Sequence, residues 1–319
     1  MTLRALGAVA ILAAWPAQAG GYDPLETFAG FTVEYLEFRE GGRVLPVMAY
    51  LPAGASQPWP GVLVSQGPGG SREGSSYLGR HWAGRGYLAL FLQHPGSDES
   101  VWKGVPKWRV MRAMKQAASA ANYRQRVDDV RIALDAVERA TADPASPLYQ
   151  RADTGRIGMS GHSFGARTTQ AVAGESLGGG SQPYLLERID AAIAMSPSPP
   201  ARRPASEAFR HVGIPWLCMT GTEDAAPRAI SRTTPADRRT VFAALPESGH
   251  FHELVLGGGR HLAFTERPAP NRNPNHHRLI LATSSAFWDA YLRADPDARA
   301  WLRSQARSLL QPGDSWLLK

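Results

Sequence analysis

Two serines of this 319-residue chain sit in the pattern Gly-x-Ser-x-Gly: Gly161-His162-Ser163-Phe164-Gly165 and Gly174-Glu175-Ser176-Leu177-Gly178. A serine hydroxyl is a weak nucleophile until a base takes its proton, and the base works best when a carboxylate orients it. One solution sets the serine on a sharp strand-to-helix turn, where flanking glycines let the backbone bend and approach its neighbours closely. Ser163 meets that demand, because "RIGMS" before it reads as a strand and "FGARTTQAVA" after it as a helix. Ser176 follows that helix directly, in "GESLGGGSQP", which reads as a helix stop and a loop. Ser163 is therefore the candidate nucleophile.

An elbow of this kind is followed in chain order by an acid and then a histidine. The acid belongs just beyond a later strand. There "TGTEDAAP", after the apolar "IPWLCM", offers Asp224, where the chain turns after Gly221, with Glu223 as the alternative. Asp190 opens its strand instead of ending it and falls on the opposite rim. Five histidines compete for the base. His250 and His252 begin the strand "FHELVL"; their i, i+2 spacing puts them on one face, a metal-like pair without a third ligand. His276 and His277 begin the last long helix, where capping or surface roles fit. His261 follows the strand and the run Gly257-Gly258-Gly259, on the rim expected for the serine, and is the candidate base.

Acyl transfer also needs N–H donors for the oxyanion. Phe164 N–H, just after the nucleophile, is one. The second should come from Gln66-Gly67-Pro68-Gly69-Gly70, which follows the apolar "GVLVS". Pro68 has no N–H to give. Gly69 is the expected donor, with Gly67, the Gln66 side chain, or no donor at all as alternatives. Gln66 is also a candidate substrate contact.

The elements that must hold these residues alternate between strand and helix. "FTVEYLEFRE" and "VLPVMAYLPA" read as strands joined at Gly41-Gly42, with Pro46 suggesting an edge position or irregular pairing for the second. "SSYLGRHWAGRG" is helical, "YLALFLQHPGSD" a strand and turn, and Val101 to Asn122 helix-compatible. In "YRQRVDDVRIALDAVERA", Val127, Val130, Leu134 and Val137 fall on one helical face. "IDAAIAMS" is a strand, and the stretch from His277 to Leu292 a closing helix. Such alternation implies an α/β fold, a mainly parallel sheet with helices on both faces.

An apolar share of 43% supports a sizeable core. The first residues, "MTLRALGAVAILAAWPAQAGG", carry Arg4, an apolar run too short to cross a bilayer, and Ala17-Gln18-Ala19. That is the pattern of a secretory signal over residues 1–19, with residues 20–319 as a single domain exported to the periplasm or beyond. No later segment is apolar enough to span a membrane. The one cysteine, Cys218, excludes an intramolecular disulfide and lies in an apolar strand, where an inert core thiol is expected. The net charge of +7 comes mostly from scattered arginines without a nucleic-acid motif, so no nucleic-acid partner is expected. Trp102 and Trp108 could wall an apolar pocket or belong to the core.

With these residues in place, the chain resembles a known group. "SQGPGGSREGSSYLGRHWAGRGYLALFLQHPGSD", "GHSFGA", "TGTEDAAP" and "GRHLAF" are similar to motifs of the α/β-hydrolases of the platelet-activating-factor acetylhydrolase and dienelactone-hydrolase-like group, over about Phe31 to Leu302. The resemblance implies an eight-stranded sheet and a triad of Ser163, Asp224 and His261. In that group the oxyanion loop usually reads Ser-His-Gly-Leu-Gly-Gly, with the Leu amide as donor; Gln66 and Pro68 stand at its His and Leu. Dienelactone hydrolases proper use cysteine where Ser163 stands, which points to ester hydrolysis through an acyl-enzyme, on a small or lipid-like ester and without metal or cofactor. A binding module on the same fold and an acyltransferase are the alternatives.

Overall fold

The computed structural model describes residues 21–55, 57–200, 202–228, 230–268 and 272–319. The secretory signal expected over residues 1–19 lies outside them.

Nine strands form one sheet: β1 (Gly30–Glu40), β2 (Arg43–Ala53), β3 (Trp59–Ser65), β4 (Leu88–Leu92), β5 (Ala152–His162), β6 (Ala191–Met195), β7 (Trp216–Glu223), β8 (Phe251–Arg260) and β9 (Ser315–Leu318), in the order β1-β2-β4-β3-β5-β6-β7-β8-β9. The six strands from β4 to β8 run parallel, while β1, β2 and β9 pair antiparallel at the two ends. The central strands are continuous apolar runs because both of their faces are covered.

Among the described residues, eight helices connect and cover the strands: α1 (Ser76–Gly84), α2 (Lys107–Ala117), α3 (Ala120–Ala142), α4 (Phe164–Val172), α5 (Ala205–Phe209), α6 (Pro235–Ala243), α7 (Pro274–Leu292) and α8 (Pro296–Ser304). The alternation of side chains along a strand divides the core between two faces. Val62 and Val64 of β3 join Trp82 of α1 and Trp288 of α7 on one face. Leu63, between them, packs with Val130, Leu134 and Val137 of α3 on the other.

The structure departs from the sequence expectations in three places. The sheet has nine strands, not eight: β9 is only four residues, after a Gly313 turn, too short to carry a pattern of its own. Pro46 is not on an edge, since β2 lies between β1 and β4; it sits just before the β4 ladder, which begins at Val47, and its carbonyl accepts Gln93 N–H. The helix-compatible stretch from Val101 to Asn122 breaks at Ala118-Ser119, where Ser119 caps α3 through the Asn122 N–H.

Because the central strands are parallel, their C-terminal ends share one rim, the usual place for a ligand on such a sheet. The loop after β3, the turn after β5, and the chain beyond β6, β7 and β8 all emerge there.

Candidate functional site

Ser163 stands between β5 and α4 with φ 60° and ψ −114°, a left-handed backbone that costs a non-glycine residue about 1–3 kcal/mol. Its neighbours explain how the strain is held. A Cβ on Gly165 would lie 1.9 Å from Ser65 O, and one on Gly161 would lie 2.3 Å from Gly165 O. Only glycine permits that approach of turn to strand. Ser163 N–H is fixed by Met195 O at 3.0 Å.

The expected partners meet this serine. His261, in a short 3-10 turn directly after β8, places Nε2 2.9 Å from Ser163 Oγ and Nδ1 2.7 Å from Asp224 Oδ1. Asp224, one residue beyond β7, is fully buried, and its Oδ2 accepts Ser196 Oγ–H at 2.7 Å and Thr220 Oγ1–H at 2.9 Å. Burial works to raise its carboxyl, but the hydrogen bond to His261 and the Arg238 cation hold it below the usual carboxylate range. The alternative acid, Glu223, points outward and pairs with Arg260 at 2.8 Å.

The other candidates fall away from this cluster. Ser176 is buried in a turn, its Oγ accepting Gly178 N–H, with no histidine against it. Asp190, just before β6, accepts Ile157 N–H where the β5–β6 ladder begins, away from the Ser163 end. His252 is buried against Trp316 and bonded to Tyr291 Oη, and no group of three metal-ligating side chains occurs among the described residues. His276 bonds Gly257 O, and His277 stacks on Tyr77. Cys218 is a buried thiol that burial pushes well above its ordinary range.

The oxyanion donors need one correction. Gly69 N–H donates to Ser97 O at 2.9 Å, so it is not free to meet a ligand. The Gln66 amide nitrogen donates to Gly74 O at 2.9 Å; Gln66 lines the cleft, but its N–H braces the loop. Gly67 lies against Ser163: a Cβ there would sit 3.5 Å from Ser163 Cβ. Its orientation follows from the peptide before it. Gln66 O is held by Arg126 Nη1 at 2.5 Å, and in a planar trans peptide the next N–H points the opposite way, away from Arg126. Among the described residues no protein acceptor meets the Gly67 N–H. Phe164 N–H, at the first position of α4, is likewise one of the helix amides with no partner inside the helix.

Two arginines around the site carried no motif, and His162 sat inside one without a role read for it. Arg126 of α3 is fully buried and binds Gln66 O, Gly67 O and both Ser97 oxygens, with its guanidinium 4.8 Å from the centre of the Phe164 ring. It thus holds the loop and packs on the elbow at once. Arg238 of α6 lies under the triad: Nε donates to Asp224 O, Nη1 to Ser196 O and Pro197 O, and Nη2 lies 3.2 Å from His261 Nδ1. Nδ1 cannot both donate to Asp224 and accept from Arg238. The 2.7 Å contact assigns the proton to Nδ1, with Arg238 beside the ring as a cation. His162, inside the elbow motif, bonds His261 O at 2.9 Å and is kept neutral by burial, which pushes it down to about 3. Thr234 and Asp237 form a capping box that starts α6 and so aims Arg238. That box is a sequence signal for the helix, although not for the arginine's reach.

A second serine–histidine–carboxylate chain lies behind the loop. Ser65 Oγ is 2.8 Å from His94 Nε2, His94 Nδ1 is 2.8 Å from Asp129 Oδ2, and Arg43 grips Asp129 with two nitrogens. Ser65, His94 and Asp129 are all buried, and burial followed by the Arg126 cation pushes His94 down to about 4. This chain anchors the end of β3 and has no surface on which a substrate could sit.

Ser163 and His261 open instead onto a cleft of about 1090 Å3, walled by Met114, Tyr123, Phe164, Pro199, Ile230 and Leu262. Its exposed lining is mainly apolar, although charged side chains such as Arg167, Arg238 and Glu266 share it. Trp102 is not among its walls; its Nε1–H supports the loop through Gly69 O, and Trp108 faces solvent. No known protein family's sequence profile matches this chain, and no curated protein does.

Proposed function

We propose that the protein is a serine hydrolase of the α/β-hydrolase type that cleaves carboxylic esters through an acyl-enzyme. One observation carries this reading: the unbroken hydrogen-bonded chain from Ser163 Oγ through His261 to the buried Asp224, at the floor of an open, mainly apolar cleft. His261 takes the Ser163 proton as Oγ attacks the ester carbonyl, and the resulting oxyanion is met by Phe164 N–H and Gly67 N–H. The imidazolium, steadied by Asp224, returns the proton to the leaving alcohol. Water activated by the same His261 then attacks the acyl-enzyme and frees the acid. No step calls for a metal or an organic cofactor. Export is part of the proposal and rests on the leader-like N-terminal sequence.

Turnover of p-nitrophenyl acetate or butyrate, set against Ser163→Ala, is the test, with a fluorophosphonate probe reporting the nucleophile independently of substrate. Equal rates for the two proteins and no labelling at Ser163 would sink the proposal. Product analysis with added alcohol separates hydrolysis from acyl transfer.

A further inference from the structure

Helix α2 is amphipathic in an unusual sense. Its inner face, Val110, Ala113, Met114 and Ala117, turns toward the protein, and only Ala117 is fully buried. Its outer face carries the most exposed large apolar side chain of the described residues, Trp108 at 76%, and Met111 at 40%, one turn apart. Around them stand Lys107, Arg109, Arg112 and Lys115, with Lys103 just ahead of the helix and no acidic residue from 103 to 115. Three of the chain's four lysines fall in these thirteen positions. Lys103 pairs with Glu99, but no carboxylate pairs with the four cations of α2 among the described residues. Arg109 lies over the Trp108 ring.

Exposed Trp and Met side chains set among Lys and Arg on one helix are the make-up of a helix that lies in a membrane interface. We propose that this face of α2 docks on a lipid bilayer surface bearing anionic head groups. Trp108 and Met111 enter the boundary between head groups and acyl chains, and the cations lie among the lipid phosphates. A nucleic acid or an acidic protein would draw on the cations but gives no place to the paired Trp108 and Met111. The inner face of the same helix contributes Met114 to the cleft, and the residues that follow, Ala118 to Ala120, line it too. A docked surface would thus lie beside the mouth of the cleft. Its use for delivering a lipid-dissolved ester rests on the hydrolase reading, whereas the docking does not.

The test keeps the two apart by using the whole protein with Ser163→Ala, so that no turnover is involved. Co-sedimentation with vesicles of phosphatidylglycerol and phosphatidylcholine is compared with phosphatidylcholine alone. Binding should be at least about tenfold stronger on the anionic vesicles and should weaken as salt is raised. Each neutralised cation (Arg109→Gln, Arg112→Gln, Lys115→Gln) should cost about fivefold, and Trp108→Ala with Met111→Ser about tenfold or more. The same substitutions in the protein with Ser163 intact should leave p-nitrophenyl acetate turnover unchanged, which shows that they fold. Equal binding to both vesicle types overturns the proposal. So does binding indifferent to Trp108, or sedimentation velocity showing that Trp108 instead seals a dimer of this chain.

Discussion

Arg126→Met offers the sharpest test of how the oxyanion site is built. Arg126 does not line the cleft, so it acts on substrate only through what it holds, chiefly the carbonyls of Gln66 and Gly67. Without it the peptide between Gln66 and Gly67 is free to turn, and the Gly67 N–H loses the orientation that the proposed oxyanion site needs. Losing one oxyanion donor costs about 10²–10³ in kcat, or roughly 3–4 kcal/mol. That interaction exists only in the transition state, so kcat and kcat/KM should fall together while KM stays near its starting value. The substitution also strips a donor from the buried Gln66 O, at about 1–3 kcal/mol, while the carbonyls of Gly67 and Ser97 keep the N–H groups of Gly70 and Gly69. Tm should therefore drop without loss of the fold. Arg126→Lys should recover part of the rate, because an ammonium reaches Gln66 O but cannot span the other acceptors. Steady-state kinetics on a p-nitrophenyl ester, with near-UV circular dichroism as the fold control, gives the answer. A folded Arg126→Met protein within about threefold of the original kcat, or one whose whole loss lies in KM, refutes the argument.

Asp224→Asn should lower kcat by about 10⁴, because an amide that donates toward Nδ1 favours the wrong imidazole tautomer; fluorophosphonate labelling should slow in parallel. Acid should destabilise the protein through His162 and His252, both pushed down by burial to about 3 against an ordinary 6.5. As pH falls through about 6.5 the unfolded chain takes protons that the folded one refuses. Stability is therefore present above that pH and lost on the way down toward about 3. Each should lose roughly 2 kcal/mol between about pH 7 and pH 5, readable as a fall in the urea midpoint and reduced for His252 by His252→Gln. Asp289 gathers Arg85, Arg293, Tyr22 and Tyr87 in a buried hub far from Ser163 in sequence. Asp289→Ala takes the carboxylate from the buried Arg85 and should cost about 3–5 kcal/mol of stability, by chemical denaturation, while the folded fraction keeps its specific activity.

Most of the elements were legible because buried parallel strands are apolar runs and the helices between them repeat on one face. The misses have physical causes. Strand β9 is held by its pairing with β8 and not by any pattern of its own four residues. The ends of the strands also told which rim Ser163, Asp224 and His261 share, since position along a parallel strand fixes the rim. What could not be read was whatever depends on a long side chain reaching across from another layer. Arg126 and Arg238 look like any other arginines on helices α3 and α6, and only the fold brings them under the loop and the triad. Gly69 failed for a related reason. Its place in the loop was suitable, but the Ser97 carbonyl that occupies its amide lies 28 residues on and comes from the loop after β4.

On the proposed reading, the two serine–histidine–carboxylate chains in this one molecule differ in what separates a site from a scaffold. In hydrogen-bond lengths they are nearly indistinguishable: 2.9 and 2.7 Å from Ser163 to Asp224, 2.8 and 2.8 Å from Ser65 to Asp129. Ser65 is the last residue of β3, with its hydroxyl buried between His94 and the Arg126 guanidinium. Ser163 stands on strained backbone that turns its hydroxyl into the cleft, beside two amide groups without protein acceptors. The residue types and their spacing are common to both chains. Solvent access, backbone strain and free N–H donors belong to only one, and those are the features an ester carbonyl requires. The buried chain serves the other by locking the end of β3, from which the Gly67 amide is presented. On this reasoning Ser65→Ala should leave Ser163 reactive toward a fluorophosphonate, because the nucleophile, His261 and Asp224 are untouched. It should nevertheless lower kcat, since it loosens the loop that presents Gly67. Loss of all labelling in a folded Ser65→Ala protein would place the nucleophile in the wrong chain.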